Sequence, residues 1–199
     1  TTRMTDSAAA AELRAFRNVL RSRLIAAREA LPADIHAQLS RKLERHLGEL
    51  LDALNPAMLA FCWPFRGEFD ARTLVSGRLP GGLRPFLPVV MHNASPLDFP
   101  DWAPQRELIE DRYGIHIPAR GEALRPDTIL MPLNGFDEAG YRLGYGGGYF
   151  DRSLAAISPR PRAIGVGFEL ARIDSIRPQA HHLPMDFIVT ESGIFQVEA

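Results

Sequence analysis

The sequence predicts a single three-layer α/β domain with a mostly parallel central sheet and an N-terminal pair of helices packed on it. Three observations carry that expectation. Short, continuous apolar runs recur at residues 57–63, 84–90, 128–131, 163–168 and 187–190, the mark of strands buried on both faces. Helical stretches fall between them, as covering layers on a parallel sheet require. A length of 199 residues with 46% hydrophobic side chains suffices for one core without covalent staples.

Taken in order, residues 1–10 are small and polar and lack the apolar core of a signal peptide, so they are expected to be a flexible leader to a domain spanning 11–199. Helical periodicity runs over residues 8–31, where Leu13, Phe16, Leu20, Leu24 and Leu31 recur at spacings of three, four and seven. Pro32 breaks it, and a second helix is expected over 34–54, ending before Asn55-Pro56. A strand at 57–63, a short helix at 70–75 and a strand at 84–90 follow. Residues 91–126, rich in Pro, Asp and Arg, carry no clear period, and no element is assigned there. Strands at 128–131, 163–168 and 187–190 complete the sheet, with a helix at 149–157. No internal repeat or linker divides the chain.

Composition excludes several classes. A formal net charge of -1 does not suit a general nucleic-acid binder. The lone Cys62 can form neither an internal disulfide nor a cysteine-rich zinc site. No apolar run approaches the ~20 residues of a membrane span. These features suit the cytoplasm and a monomer acting on a small molecule, with no nucleic-acid or membrane partner.

The chemistry concentrates in residues 142–151. Gly144, Gly146, Gly147 and Gly148 fall within five residues, between a strand and a helix. A strand opening into a helix start is where α/β proteins bind anions. The glycines permit positive φ and close approach of backbone N–H groups to phosphate oxygens. Arg142 at the loop's start is a charge-assisted donor, and Asp151 in the first helical turn is placed to hold Mg²⁺ beside phosphates. A flexible turn followed by an acid that complements the helix dipole would share part of this pattern. Only one of the 23 basic side chains, Lys42, is lysine, and it lies outside any Gly-Lys-Ser/Thr sequence, so the loop is no Walker motif. Nor does the glycine spacing fit the dinucleotide fingerprint.

Arg17, Arg21 and Arg28 share a helix face within ~40°. Such a stripe is equally the mark of a solvated face. Trp63 and Glu68 follow the first strand and offer a flat surface and a hydrogen-bond acceptor to a nitrogen-rich ring, although a Trp at a strand end is commonly core. His181-His182 point to different sides of most backbones, which disfavours a shared metal.

With these residues assembled, the chain resembles the 5-formyltetrahydrofolate cyclo-ligase family. The resemblance is densest over residues 131–152 and continues through 164–167 and 185–191; upstream it includes Arg28-Glu-Ala-Leu, residues 66–70 and 113–115. It implies an enzyme that uses Mg-ATP to convert 5-formyltetrahydrofolate into 5,10-methenyltetrahydrofolate, releasing ADP and phosphate, through phosphorylation of the formyl oxygen and ring closure. It implies that Arg17 and Arg21 hold ATP phosphates. The nucleotide loop would be Arg142, Leu143, Gly144, Tyr145, Gly146, Gly147, Gly148 and Tyr149, with Arg142, Tyr149 and Asp151 as the catalytic set. Trp63 and Glu68 would receive the pterin, Tyr113 and Tyr149 would contact folate, and Asp151 would ligate magnesium. The chain departs from the family in two places. Arg17 stands where lysine is common, and His182 stands where the family often has an aspartate associated with the metal. The second departure motivates an alternative: a folate- and nucleotide-binding member of the family without turnover.

Overall fold

The structure is a computed structural model that describes residues 2–198, with side chains described from residue 6 onward. Helix α1 spans Thr2–Glu29 and α2 spans Ala33–Leu54. The segment expected as a leader is therefore helical from Thr2, and Thr1 lies outside the described residues. Alanine, the best helix former, fills positions 8–11 and carries the helix through what reads as a small, polar terminus.

Strand β1 is Met58–Ala60, α3 is Arg72–Ser76 and β2 is Arg84–Phe86. Two short strands, β3 (Leu108–Glu110) and β4 (His116–Pro118), pair antiparallel within residues 91–126, where the sequence carries no clear period. Next come β5 (Thr128–Pro132), the small hairpin β6 (Gly135–Phe136) and β7 (Arg142–Leu143), and helix α4 (Tyr149–Ala156). The chain closes with β8 (Arg162–Val166), β9 (Phe187–Thr190) and β10 (Gly193–Gln196).

Six strands form the main sheet in the order β10-β9-β8-β5-β1-β2. All neighbours are parallel except β10, which returns antiparallel along β9. Alternate residues feed opposite faces. On one side, Leu130, Ile164 and Val189 pack with Leu43, Leu47, Leu50 and Leu51 of α2 and Val75 of α3. On the other, Ile129, Met131, Ala163 and Ile188 pack with Leu154 of α4. The four α2 leucines are spaced as one helical face and are at most 6% exposed, each worth roughly 1.5–3 kcal/mol of burial. Asn55 ends α2 in the left-handed region (φ 46°), its N–H bonded to the Leu51 carbonyl at 2.8 Å.

Helix α1 has a different task. Its Leu20 and Leu24 pack on Leu143 and Ile176, beyond the sheet and over the loops that leave it. The chain runs from β1 outward to β2 and then returns to β5 on β1's other side, so strand order reverses between β1 and β5. Ligands of open α/β sheets bind at such a reversal, outside the carboxyl ends of the strands. Residues 61–68 leave β1 there, and the glycine loop follows β5.

Candidate active site

A cavity of about 710 Å³ opens at this reversal. It is lined by Arg17, Arg21, Trp63, Glu68, Tyr113, Arg142, Leu143, Gly144, Tyr145, Gly146, Gly147, Gly148, Tyr149, Asp151 and His182, so every site residue expected from the sequence reaches one space. Their sources are α1, the segments after β1 and β5, the β3–β4 connection and the segment after β8.

The glycine loop forms one wall. Gly148 directly precedes α4 in the left-handed region (φ 68°), which turns the chain into the helix start. A Cβ on Gly147 would come within 2.5 Å of the Tyr149 ring, so that ring's position requires glycine there. Arg142 donates from Nε (3.2 Å) and Nη2 (3.0 Å) to the Pro132 carbonyl, and its guanidinium lies 4.9 Å from the centre of the Phe150 ring. Nη1 makes no hydrogen bond among the described residues, which leaves a donor for an incoming anion. Burial lowers the Arg142 pKa, an effect opposed by Asp151 and Glu68.

Arg21 donates from Nε to the Gly144 carbonyl at 2.6 Å and from Nη1 to Asn18 at 2.7 Å. Arg17 is more heavily engaged. Its Nε donates to the Ile176 carbonyl (3.1 Å), Nη1 to Gln179 (3.1 Å) and Nη2 to the Arg177 carbonyl. It thus secures the segment after β8 while lining the cavity.

Asp151 accepts the Leu183 N–H through one carboxylate oxygen at 3.0 Å. His182 accepts the Gln179 N–H on Nδ1 at 2.9 Å and stacks on His181 with ring centres 4.2 Å apart. Burial, Arg17 and His181 all lower the His182 pKa against the pull of Asp151, which favours the neutral ring. Among the described residues no group of three or more His, Cys, Asp or Glu side chains could hold a metal alone. One carboxylate does fit a hard cation that completes its shell with phosphate oxygens and water.

The opposite end is aromatic. Trp63 carries the Arg72 guanidinium 4.5 Å above its ring and faces His116 with ring centres 5.3 Å apart. Tyr113 is 52% exposed at the cavity's rim. Glu68 is buried, with the Phe65 N–H donating to Oε1 at 3.0 Å and the Tyr145 hydroxyl donating to Oε2 at 3.1 Å. Burial pushes its pKa up to about 7, against the opposing pull of Arg28, the Tyr145 and Phe65 hydrogen bonds and Arg142.

The sequence places Arg28 on the arginine stripe and implies no site role for it. In the fold it is 5% exposed and donates to Arg66, Leu133, Asn134 and Tyr145. The helical spacing placed it on the right face; the partners, drawn from three distant loops, are invisible to local pattern.

These features set the class: an α/β protein with helices on both faces of a mostly parallel sheet and, at its strand-order reversal, one cavity that joins a glycine loop to an aromatic end. A sequence model of the 5-formyltetrahydrofolate cyclo-ligase family matches residues 14–191, and the chain belongs to that family of enzymes. It is 31% identical over 139 residues to the 5-formyltetrahydrofolate cyclo-ligase of Escherichia coli K12, covering 66% of this chain and 76% of the relative. The Mycolicibacterium smegmatis 5-formyltetrahydrofolate cyclo-ligase is 30% identical over 138 residues, covering 64% of this chain and 70% of the relative. Among solved structures, the Aquifex aeolicus 5,10-methenyltetrahydrofolate synthetase superposes with a TM-score of 0.79 at 27% identity, covering 92% of this chain and 93% of that one. No helix among the described residues is long and apolar enough to cross a membrane.

Proposed function

We propose that this chain converts 5-formyltetrahydrofolate into 5,10-methenyltetrahydrofolate, consuming Mg-ATP and releasing ADP and phosphate. The carrying observation is that one cavity joins the arginine-flanked glycine loop and Asp151 to the Trp63–Glu68 aromatic end. A site that must bring a γ-phosphate to a formyl group on a pterin needs those two halves in contact.

The chemistry asks mainly for positioning and charge neutralisation. A formyl oxygen on N5 is a poor leaving group. Transfer of the γ-phosphoryl group to that oxygen releases ADP and gives a phosphate ester. N10 then attacks the formyl carbon, the C–O bond breaks with its electron pair leaving on phosphate, and N10 loses its proton. Arg21, Arg142 and the loop N–H groups would face the phosphates, where donors fixed in advance stabilise developing charge. Trp63 and Tyr113 would hold the folate in register, Glu68 would accept N–H donors from the ring edge, and Tyr149 would sit between nucleotide and folate. Asp151 would hold Mg²⁺, which when bound neutralises phosphate charge.

The test is direct: incubate the protein with 5-formyltetrahydrofolate and Mg-ATP and follow the methenyl chromophore and ADP together. Equal amounts of both, each dependent on the other substrate, support the reading. Folate bound without product would favour the binding-only alternative, and ADP release independent of folate would point to a different phosphotransferase. His182 accepts the Gln179 N–H and so has a structural partner here, while the choice between turnover and binding alone rests on the assay.

A further inference from the structure

The two halves of the cavity are joined by one phenol. Tyr145 lies inside the glycine loop, between Gly144 and Gly146, yet its hydroxyl reaches Glu68 Oε2 at 3.1 Å on the far wall. The same hydroxyl receives Nη2 of Arg28 at 3.3 Å. Arg28 is in turn fixed from behind. Its Nε donates to the Arg66 carbonyl at 2.9 Å, and Nη1 donates to the Leu133 carbonyl at 3.3 Å and to Asn134 Oδ1 at 3.0 Å.

We infer that Arg28 and Tyr145 are positioning residues that couple occupancy of the glycine loop to the ring-binding carboxylate Glu68, so that nucleotide and folate each tighten the other's binding. The inference rests on the functional reading given above for the loop and for Glu68.

The direction of the hydrogen bonds makes the coupling specific. A guanidinium has donors only, so the Tyr145 oxygen must accept from Arg28 and spend its single proton on Glu68. Glu68 is held from both sides, since the Phe65 N–H occupies Oε1 at 3.0 Å. Its remaining lone pairs are the acceptors a nitrogen-rich ring would meet. Their orientation depends on where Tyr145 stands.

Apart from these two hydrogen bonds Tyr145 has little packing. It is 43% exposed, and its ring touches Phe65 at 6.0 Å between centres. Gly146, its neighbour, has φ 99°, and the four glycines around Tyr145 have more conformational freedom to lose on ordering than other residues would. A phosphate gripped by the loop N–H groups would restrict that freedom. The first ligand to bind bears the ordering cost, and the second meets Tyr145, Arg28 and Glu68 already aligned. Linkage requires the same factor in both directions.

The test is calorimetric and needs no turnover. 5-Formyltetrahydrofolate is titrated into the whole protein, alone and saturated with Mg²⁺ and a non-hydrolysable ATP analogue. In the unaltered protein the analogue should lower the folate Kd by about tenfold, the scale of one well-placed hydrogen bond to a charged acceptor. In Tyr145→Phe, which keeps the ring and loses only the hydroxyl, both ligands should still bind and the ratio should fall to near one. Arg28→Lys, which keeps the charge and loses the fork, should do the same, with thermal unfolding confirming a folded protein. Equal folate Kd with and without analogue in the unaltered protein overturns the inference. A ratio preserved in either variant also overturns it. Failure of the unaltered protein to bind either ligand would instead defeat the functional reading beneath it.

Discussion

Arg21 Nε donates to the Gly144 carbonyl at 2.6 Å, joining α1 to the glycine loop across 123 residues of sequence. One guanidinium therefore both shapes the loop and lines the cavity that the loop borders. Arg21→Ala removes both. The KM for ATP is expected to rise at least roughly tenfold, the scale of a lost charge-assisted contact to phosphate. Folate affinity measured without nucleotide should stay within about twofold. An unchanged KM for ATP would remove Arg21 from the nucleotide site.

The role proposed for Asp151 in holding Mg²⁺ can be separated from its structural contact. In Asp151→Asn the side-chain oxygen can still accept the Leu183 N–H, so the unfolding temperature should move by no more than about 2 °C. The Mg²⁺ concentration for half-maximal rate should rise about tenfold or more. His182→Asp, which sets a second carboxylate near the first, should lower that concentration. If neither variant shifts the Mg²⁺ requirement, the metal is held elsewhere.

Glu68 gives a pH signature. Burial raises its pKa from the ordinary 4.5 to about 7. Below pH 4.5 the folded and unfolded chains both hold the proton, and Glu68 adds no pH dependence. Between 4.5 and about 7 the folded state keeps a proton that the unfolded chain has released, so stability falls as pH rises. Above that window a constant cost of about 3 kcal/mol remains. Glu68→Gln should accordingly be more stable than the unaltered protein at pH 8 and indistinguishable at pH 4, by denaturant titration. Folate affinity should strengthen from pH 6 to pH 8 only while Glu68 is present. Parallel stability profiles for the two proteins would contradict this.

Gly147 tests the packing of the loop against Tyr149. An alanine Cβ there would lie 2.5 Å from the ring, which must swing away. Gly147→Ala should cut kcat by roughly tenfold or more, because a displacement of about an ångström disturbs a reacting geometry. The loop is exposed, so the unfolding temperature should hardly change. Normal kcat would show that Tyr149 has no role where it stands.

The sheet was legible because its strands are short apolar runs and α2 repeats leucine at helical spacing. The boundaries were not. The run at 57–63 pairs only over Met58–Ala60 before the chain turns out of the sheet toward Trp63 and Glu68. Leu97, Phe99 and Trp102 are buried core, but they are held by isolated bridges such as Val89 to Asp98 and Pro100 to Ala123, which give the sequence no period. Strand β10 escaped notice because Ile194, Phe195 and Gln196 face solvent. At the site, residue types and the glycine cluster could be read directly. The Arg28–Tyr145–Glu68 chain could not, since it joins α1 to two loops whose proximity exists only after folding.

Helix α1 is attached to the molecule mainly by what it contributes to the cavity. Its apolar contact is the cluster of Leu20, Leu24, Leu143 and Ile176, with Phe16 against it, together with the buried Ile25. Its polar ties are the hydrogen bonds of Arg17, Arg21 and Arg28 to loops and the ion pair of Glu29 with Arg66. Elements so held open at lower free energy than the core. The amides of α1 are therefore expected to exchange with solvent ahead of those of β5 and β8, and to slow when the cavity it borders is filled, which would make the helix a reporter of occupancy that leaves the sheet undisturbed.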